Sequence, residues 1–129
     1  MSTEKIYTIR VEKQFEAAHN LREYHGAPEP LHGHTWKAEV EFERIGLDHE
    51  GMAIDFLEVQ ESLDQLTQPF EHHYINELPP FDTVNPSAEN IAAWLFDELS
   101  KKFASHPAKV KKVIIWEGPR YSAEVEELT

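Results

Sequence analysis

The 129-residue sequence contains no cysteine. That absence excludes disulfides, thiolate metal sites and a cysteine nucleophile. Basic residues are scarce as well, with 12 Lys and Arg against 24 Asp and Glu and a formal net charge of −12. A chain with this field is expected to bind neither nucleic acid nor an anionic membrane surface, and a phosphorylated ligand would need positive potential built locally. No apolar run approaches the length of a membrane span, and Met1-Ser2-Thr3-Glu4-Lys5 has no signal-peptide core, so a cytoplasmic protein is expected. The length fits one domain over residues 1–129, with a real core.

What the chain does have is histidine, most pointedly in Leu31-His32-Gly33-His34-Thr35-Trp36. Apolar residues alternate through Tyr7, Ile9, Val11 and Phe15, which predicts a half-buried strand ending near His19. Gly26, Pro28 and Pro30 make residues 20 to 31 a loop. The next strand carries His34, Trp36, Ala38, Val40 and Phe42 on one face and Thr35, Lys37, Glu39, Glu41 and Glu43 on the other. Asp55 can cap a helix with the stripe Phe56, Val59, Leu63 and Leu66, stopped by Pro69. Residues 70 to 86 read as an irregular loop. Ser87 can cap a second helix with the stripe Ile91, Trp94, Leu95, Leu99 and Phe103, and Lys101 and Lys102 suit its negative end. Val110–Glu117 and Tyr121–Val125 are strand-like around a Gly118-Pro119 turn. The order β-β-α-α-β-β is that of an α+β domain, a four-stranded antiparallel sheet with two helices on one face. Its open edges would be covered if several copies joined side by side into a barrel.

His32 and His34 stand two residues apart on a strand and so project to the same face. A third imidazole would complete a three-nitrogen site with one position open, the pattern of catalytic zinc. His19 is the best placed, with His25, His72 and His73 as alternatives. Imidazole donors favour zinc, while also accepting iron, nickel or manganese. Glu29 is the acid beside the pair and the candidate for proton chemistry. The run Gly26, His32-Gly33-His34, Glu39, Gly46 also satisfies a cupin metal motif. In an uninterrupted strand, however, Glu39 faces away from His34, and two amphipathic helices fit a jelly roll poorly.

Six pieces occur in order along nearly the whole chain: Phe15-x-x-Ala18-His19, Leu31-His32-Gly33-His34, Gly51-Met52-Ala53-Ile54-Asp55-Phe56, His72-His73-Tyr74-Ile75-Asn76, Asn85-Pro86-Ser87-Ala88-Glu89-Asn90, and Glu117. The set resembles the 6-pyruvoyl and 6-carboxy tetrahydropterin synthase family. The resemblance implies a tunnelling fold, commonly a homohexamer of two trimeric barrels with the active site between subunits. It assigns zinc to His19, His32 and His34, the pterin ring to Glu117, and a proton-shuttle role to His72. Its usual aspartate partner for that histidine is Glu71 here, one methylene longer. Gly118 stands where a threonine is common, and the usual cysteine position is Pro28.

Glu29-x-x-His32-Gly33-His34 resembles the subgroup with glutamate in place of that cysteine. This implies a zinc-dependent lyase that cleaves 7,8-dihydroneopterin triphosphate to 6-hydroxymethyl-7,8-dihydropterin, a folate precursor. The alternatives within the family are 6-carboxytetrahydropterin synthase of the queuosine pathway and the pyruvoyl-forming synthase. From another class comes a member that binds metal and pterin without turnover. Lys37, Lys112 and Arg120 are candidate phosphate contacts.

Overall fold

The structure is a computed structural model and describes residues 4–128. The chain runs through β1 (Ile6–His19), β2 (His32–Ile45), α1 (Phe56–Thr67), β3 (His73–Tyr74), α2 (Ala88–Lys102), β4 (Lys109–Glu117) and β5 (Tyr121–Val125). Short 3₁₀ turns at Gln68–Phe70 and Ile75–Glu77 flank β3. The α+β architecture is the one the sequence predicts, with one correction. The sheet has five strands, in the order β3-β1-β2-β4-β5, because two residues of the expected loop add to its edge. β3 runs parallel to β1 through Ala17↔His73 and Ala18↔Tyr74, whereas every other pair is antiparallel. Two residues carry no periodicity, so no sequence pattern announces this strand.

Strand register decides where the site lies. β1 and β2 pair without interruption from Ile6↔Ile45 to His19↔His32, and β2 pairs β4 through Trp36↔Glu117. The side chains of Phe15, Ala17 and His19 therefore share a face with His32, His34 and Trp36, and Val113, Ile115 and Glu117 continue it. Over most of its area that face is covered by the helices. Val59 and Leu63 of α1 and Ile91, Leu95 and Leu99 of α2 join Val11, Phe15, Trp36, Val40, Phe42 and Ile115 in one core. The end of the sheet carrying the histidines lies beside the start of α2, where Ser87, Ala88 and Glu89 line a cleft with them.

Both predicted caps form. Asp55 Oδ1 accepts the Leu57 N–H at 2.9 Å, and Ser87 Oγ accepts the Asn90 N–H at 3.1 Å. The α1 stripe needs one adjustment: Phe56 is 60% exposed, and Thr67 is buried beside Val59 and Leu63. Phe56 opens the helix, where the chain is still arriving from the turn at Asp48–Gly51, and its side chain falls outside the packed stripe. No helix among the described residues is long and apolar enough to cross a membrane. Glu39 lies on the sheet face away from His34, paired with Lys37 at 3.1 Å, and β2 has no bulge between His32 and Glu41. The cupin reading therefore fails on both fold and geometry.

Candidate metal centre

Three imidazoles and one carboxylate from β1, β2 and β4 converge beside the start of α2. One ligand atom each from His19, His32, His34 and Glu117 lies within 4.8 Å of the other three. Glu117 Oε1 is 3.5 Å from both His32 Nε2 and His34 Nε2 and pairs with His19 Nε2. Trp36 forms the floor beneath, its indole N–H donating to the Ala17 carbonyl at 3.1 Å and its ring meeting His19 edge-on at 4.7 Å between centroids.

Main-chain carbonyls choose the tautomers. His19 Nδ1 donates to the Pro86 carbonyl at 2.8 Å, and His32 Nδ1 donates to the Pro30 carbonyl at 3.0 Å. A carbonyl can only accept, so each Nδ1 carries a proton and each neutral ring turns the lone pair of its Nε2 inward. Those two lone pairs then face each other at 2.9 Å. Such a pair is repulsive unless a proton or a cation lies between, and a divalent cation bound by imidazole nitrogen meets the requirement. Burial lowers the pKa of His34 and outweighs the opposing pull of Glu117, which keeps this ring in the neutral form that ligates. The Glu117 carboxyl is held below its ordinary range, chiefly by His19 beside it, so a carboxylate also faces the two lone pairs and adds to the demand for a cation between them. The donor set therefore fits zinc.

Glu29 faces the same cleft, together with His19, His32, His34, Glu117 and Tyr121. Its Oε1 lies 3.9 Å from His32 Nε2 and accepts the Leu21 N–H at 2.9 Å. The loop acid between two prolines is thus fixed at the cleft wall. The cleft encloses about 240 Å³.

His72 lines a neighbouring open groove with Glu16, Thr35 and His34, so His34 is common to both hollows. Its backbone is left-handed, φ 57°, a conformation costing a non-glycine residue on the order of 1 kcal/mol or more. The Glu16 carbonyl accepts its N–H at 2.6 Å, which holds the turn against β1. Glu71 Oε1 is 3.4 Å from His72 Nε2 and also accepts the Glu16 N–H at 3.1 Å, so the longer carboxylate still reaches its histidine. The His72 side chain is 77% exposed.

The other third-ligand candidates are set apart from the cluster: His25 sits on the exposed loop tip, and His73 Nδ1 is tied to the Glu71 carbonyl. Lys37 and Lys112 lie on the helix-free face, paired with Glu39 and with Glu124 and Glu126, and neither lines the metal cleft. Arg120 is exposed in the β4–β5 turn. Sequence reasoning gave no part to Pro86, whose carbonyl orients His19, because a main-chain group leaves no mark on residue type. It also gave none to Asn20, which bonds the Glu29 carbonyl at 3.0 Å.

A family model described as 6-pyruvoyl tetrahydropterin synthase matches residues 8–128. A dihydroneopterin monophosphate aldolase from Pyrococcus furiosus is 32% identical over 114 residues, covering 87% of this chain and 90% of that protein. A 6-carboxy-5,6,7,8-tetrahydropterin synthase from a Synechocystis species is 33% identical over 101 residues, 74% of this chain and 77% of its own. Among solved structures, a Plasmodium vivax 6-pyruvoyltetrahydropterin synthase with an alanine in place of a catalytic glutamate superposes with a TM-score of 0.76. It is 20% identical and covers 95% of this chain and 98% of its own.

Proposed function

Because this chain belongs to the 6-pyruvoyl tetrahydropterin synthase family, we propose that it is a zinc-dependent lyase that cleaves the side chain of a phosphorylated 7,8-dihydroneopterin. The product is 6-hydroxymethyl-7,8-dihydropterin, and the reaction serves folate synthesis in the cytoplasm. The observation that carries this reading is Glu29, a carboxylate 3.9 Å from His32 in a chain that has no thiol. An aldolase among the relatives and a catalytic glutamate on the same fold in the Plasmodium protein support it.

His19, His32 and His34 would hold the zinc. The ion would supply Lewis-acid polarisation of the substrate's side-chain oxygens. Glu29 takes the proton from the second side-chain hydroxyl, and the bond between the first two side-chain carbons breaks in a retro-aldol step. The aldehyde leaves with the phosphate, the electron pair enters the pterin ring, and a proton returns to the first carbon. His72, oriented by Glu71, is the proton shuttle. Glu117 anchors the ring through its N–H groups, with its carboxylate one quarter exposed in the cleft. In a hexamer of barrels the active site would lie between subunits.

The 6-carboxytetrahydropterin synthase reading draws on the Synechocystis relative, and the missing cysteine counts against it. Incubating the zinc-loaded protein with 7,8-dihydroneopterin triphosphate and, separately, the monophosphate, with products identified by mass spectrometry, tests the proposal. Release of 6-hydroxymethyl-7,8-dihydropterin is expected from at least one. A carboxy or pyruvoyl product, or no consumption of either, would overturn it.

A further inference from the structure

The Glu29 carboxylate has a fixed position although it belongs to a proline-flanked loop, and the groups that fix it come from the start of that loop and from the segment around β3. Leu21 bonds Glu29 twice, once at the main chain and once at the carboxylate: Glu29 N–H donates to the Leu21 carbonyl at 2.9 Å, and the Leu21 N–H donates to Glu29 Oε1 at 2.9 Å. The third bond comes from Asn20, whose Nδ2 donates to the Glu29 carbonyl at 3.0 Å. An asparagine amide can point either way round, and the Glu29 carbonyl, which can only accept, requires Nδ2 toward it. The Tyr74 hydroxyl then donates to Asn20 Oδ1 and holds the amide in that orientation. Asn76, itself buried, clasps the Asn20 main chain by accepting its N–H at 3.1 Å and donating to its carbonyl at 2.8 Å. The segment of β3 and the turn after it therefore reaches across His19's neighbour to the acid at the cleft.

We propose that Asn20 is the positioning residue for the Glu29 carboxylate and that Tyr74 holds Asn20 in the orientation in which it does so. This rests on the role assigned to Glu29 above. Glu29 Oε1, the oxygen nearest His32, is held by the Leu21 N–H, and the direction of the carboxylate follows from how the Glu29 backbone is held. Losing the Asn20 amide leaves the Glu29 main chain held on its N–H side alone, while the Asn76 clasp survives because it engages only main-chain atoms of residue 20.

The test uses full-length, zinc-loaded Asn20→Ala and Tyr74→Phe proteins alongside the parent and Glu29→Gln. Amide hydrogen exchange at Leu21 and Glu29 should quicken in Asn20→Ala, with zinc content unchanged. Turnover should fall by about tenfold or more in kcat, with KM changed by less than about twofold. Tyr74→Phe should move both readouts in the same direction by a smaller step. Placed on top of Glu29→Gln, Asn20→Ala should change residual turnover by less than about twofold, since a residue acting through Glu29 has nothing left to act upon. Parental exchange rates in Asn20→Ala, or an equal fall in kcat with and without Glu29, would overturn the proposal. If the parent consumes no pterin, the functional reading fails, and the exchange rates at Leu21 and Glu29 alone then decide whether Asn20 and Tyr74 hold this carboxylate.

Discussion

His19 sits between Pro86 and Glu117, donating from Nδ1 to the Pro86 carbonyl and meeting the Glu117 carboxylate at Nε2. The carbonyl can only accept, so it fixes the proton on Nδ1 and turns Nε2 toward the cluster, where a cation would be shared with the Glu117 carboxylate and the other imidazoles. The residue is 2% exposed, so this arrangement is part of the packed end of the sheet.

Binding of metal is the first consequence. Purified protein should take up one equivalent of zinc per chain, measured by elemental analysis, and His34→Ala should lose it. Ligand binding to the folded state alone stabilises by about 2.7 kcal/mol when free ligand stands at 100 times Kd, so the chelated protein should melt at a lower temperature. An unchanged melting temperature would show that the histidines do not close on an ion.

Glu29→Gln keeps the shape and the Leu21 N–H bond while removing the charge. Turnover should drop by roughly 100-fold or more, in the range general acid–base groups contribute, and zinc content should stay the same. Retained activity would remove Glu29 from the chemistry.

Glu117 can be asked which partner it serves. As the ring anchor, Glu117→Ala should weaken pterin binding in calorimetry while zinc affinity holds. Loss of zinc with unchanged pterin affinity would make it a fourth metal ligand instead.

Asp48 offers a pH test far from the histidines. Its Oδ1 accepts the N–H groups of Glu50 at 2.8 Å and Met52 at 3.0 Å, and the Met52 bond is the main cause of a pKa below the ordinary value. A depressed folded-state pKa stabilises above the unfolded pKa and the gain is lost as pH falls through the folded one. Asp48→Asn should therefore melt below the parent at neutral pH, and the gap should close in acid.

In the core, Leu63→Ala should cost about 2–5 kcal/mol in denaturant unfolding, because Leu63 is fully buried between α1 and the sheet.

Much of this was legible in the residues. Alternation through Phe15 and from His34 to Phe42 placed β1 and β2, and strand parity alone put His32 and His34 on one face with the core. Spacing also found both helices, since Val59, Leu63, Ile91, Leu95 and Leu99 are buried as the stripes require. Register was not legible. That Glu117 stands opposite Trp36, and hence among the imidazoles, depends on how β4 slides along β2. Nor were Asn20, Tyr74 and the Pro86 carbonyl, whose parts depend on loops folding onto one another. The two-residue β3 was invisible for the same reason: its place comes from Glu16 accepting the His72 N–H.

The paired Leu21 and Glu29 close the neck of a loop whose far end is a tight turn, with Tyr24 and Ala27 bonded to each other around His25 and Gly26, both at positive φ. Residues 23 to 28 are exposed. Arg22 and Glu23, just beyond the neck, are tied to Asn85, so the tip at His25 and Gly26 lies past two sets of bonds and is where a peptide tag or a spectroscopic label is best spliced in.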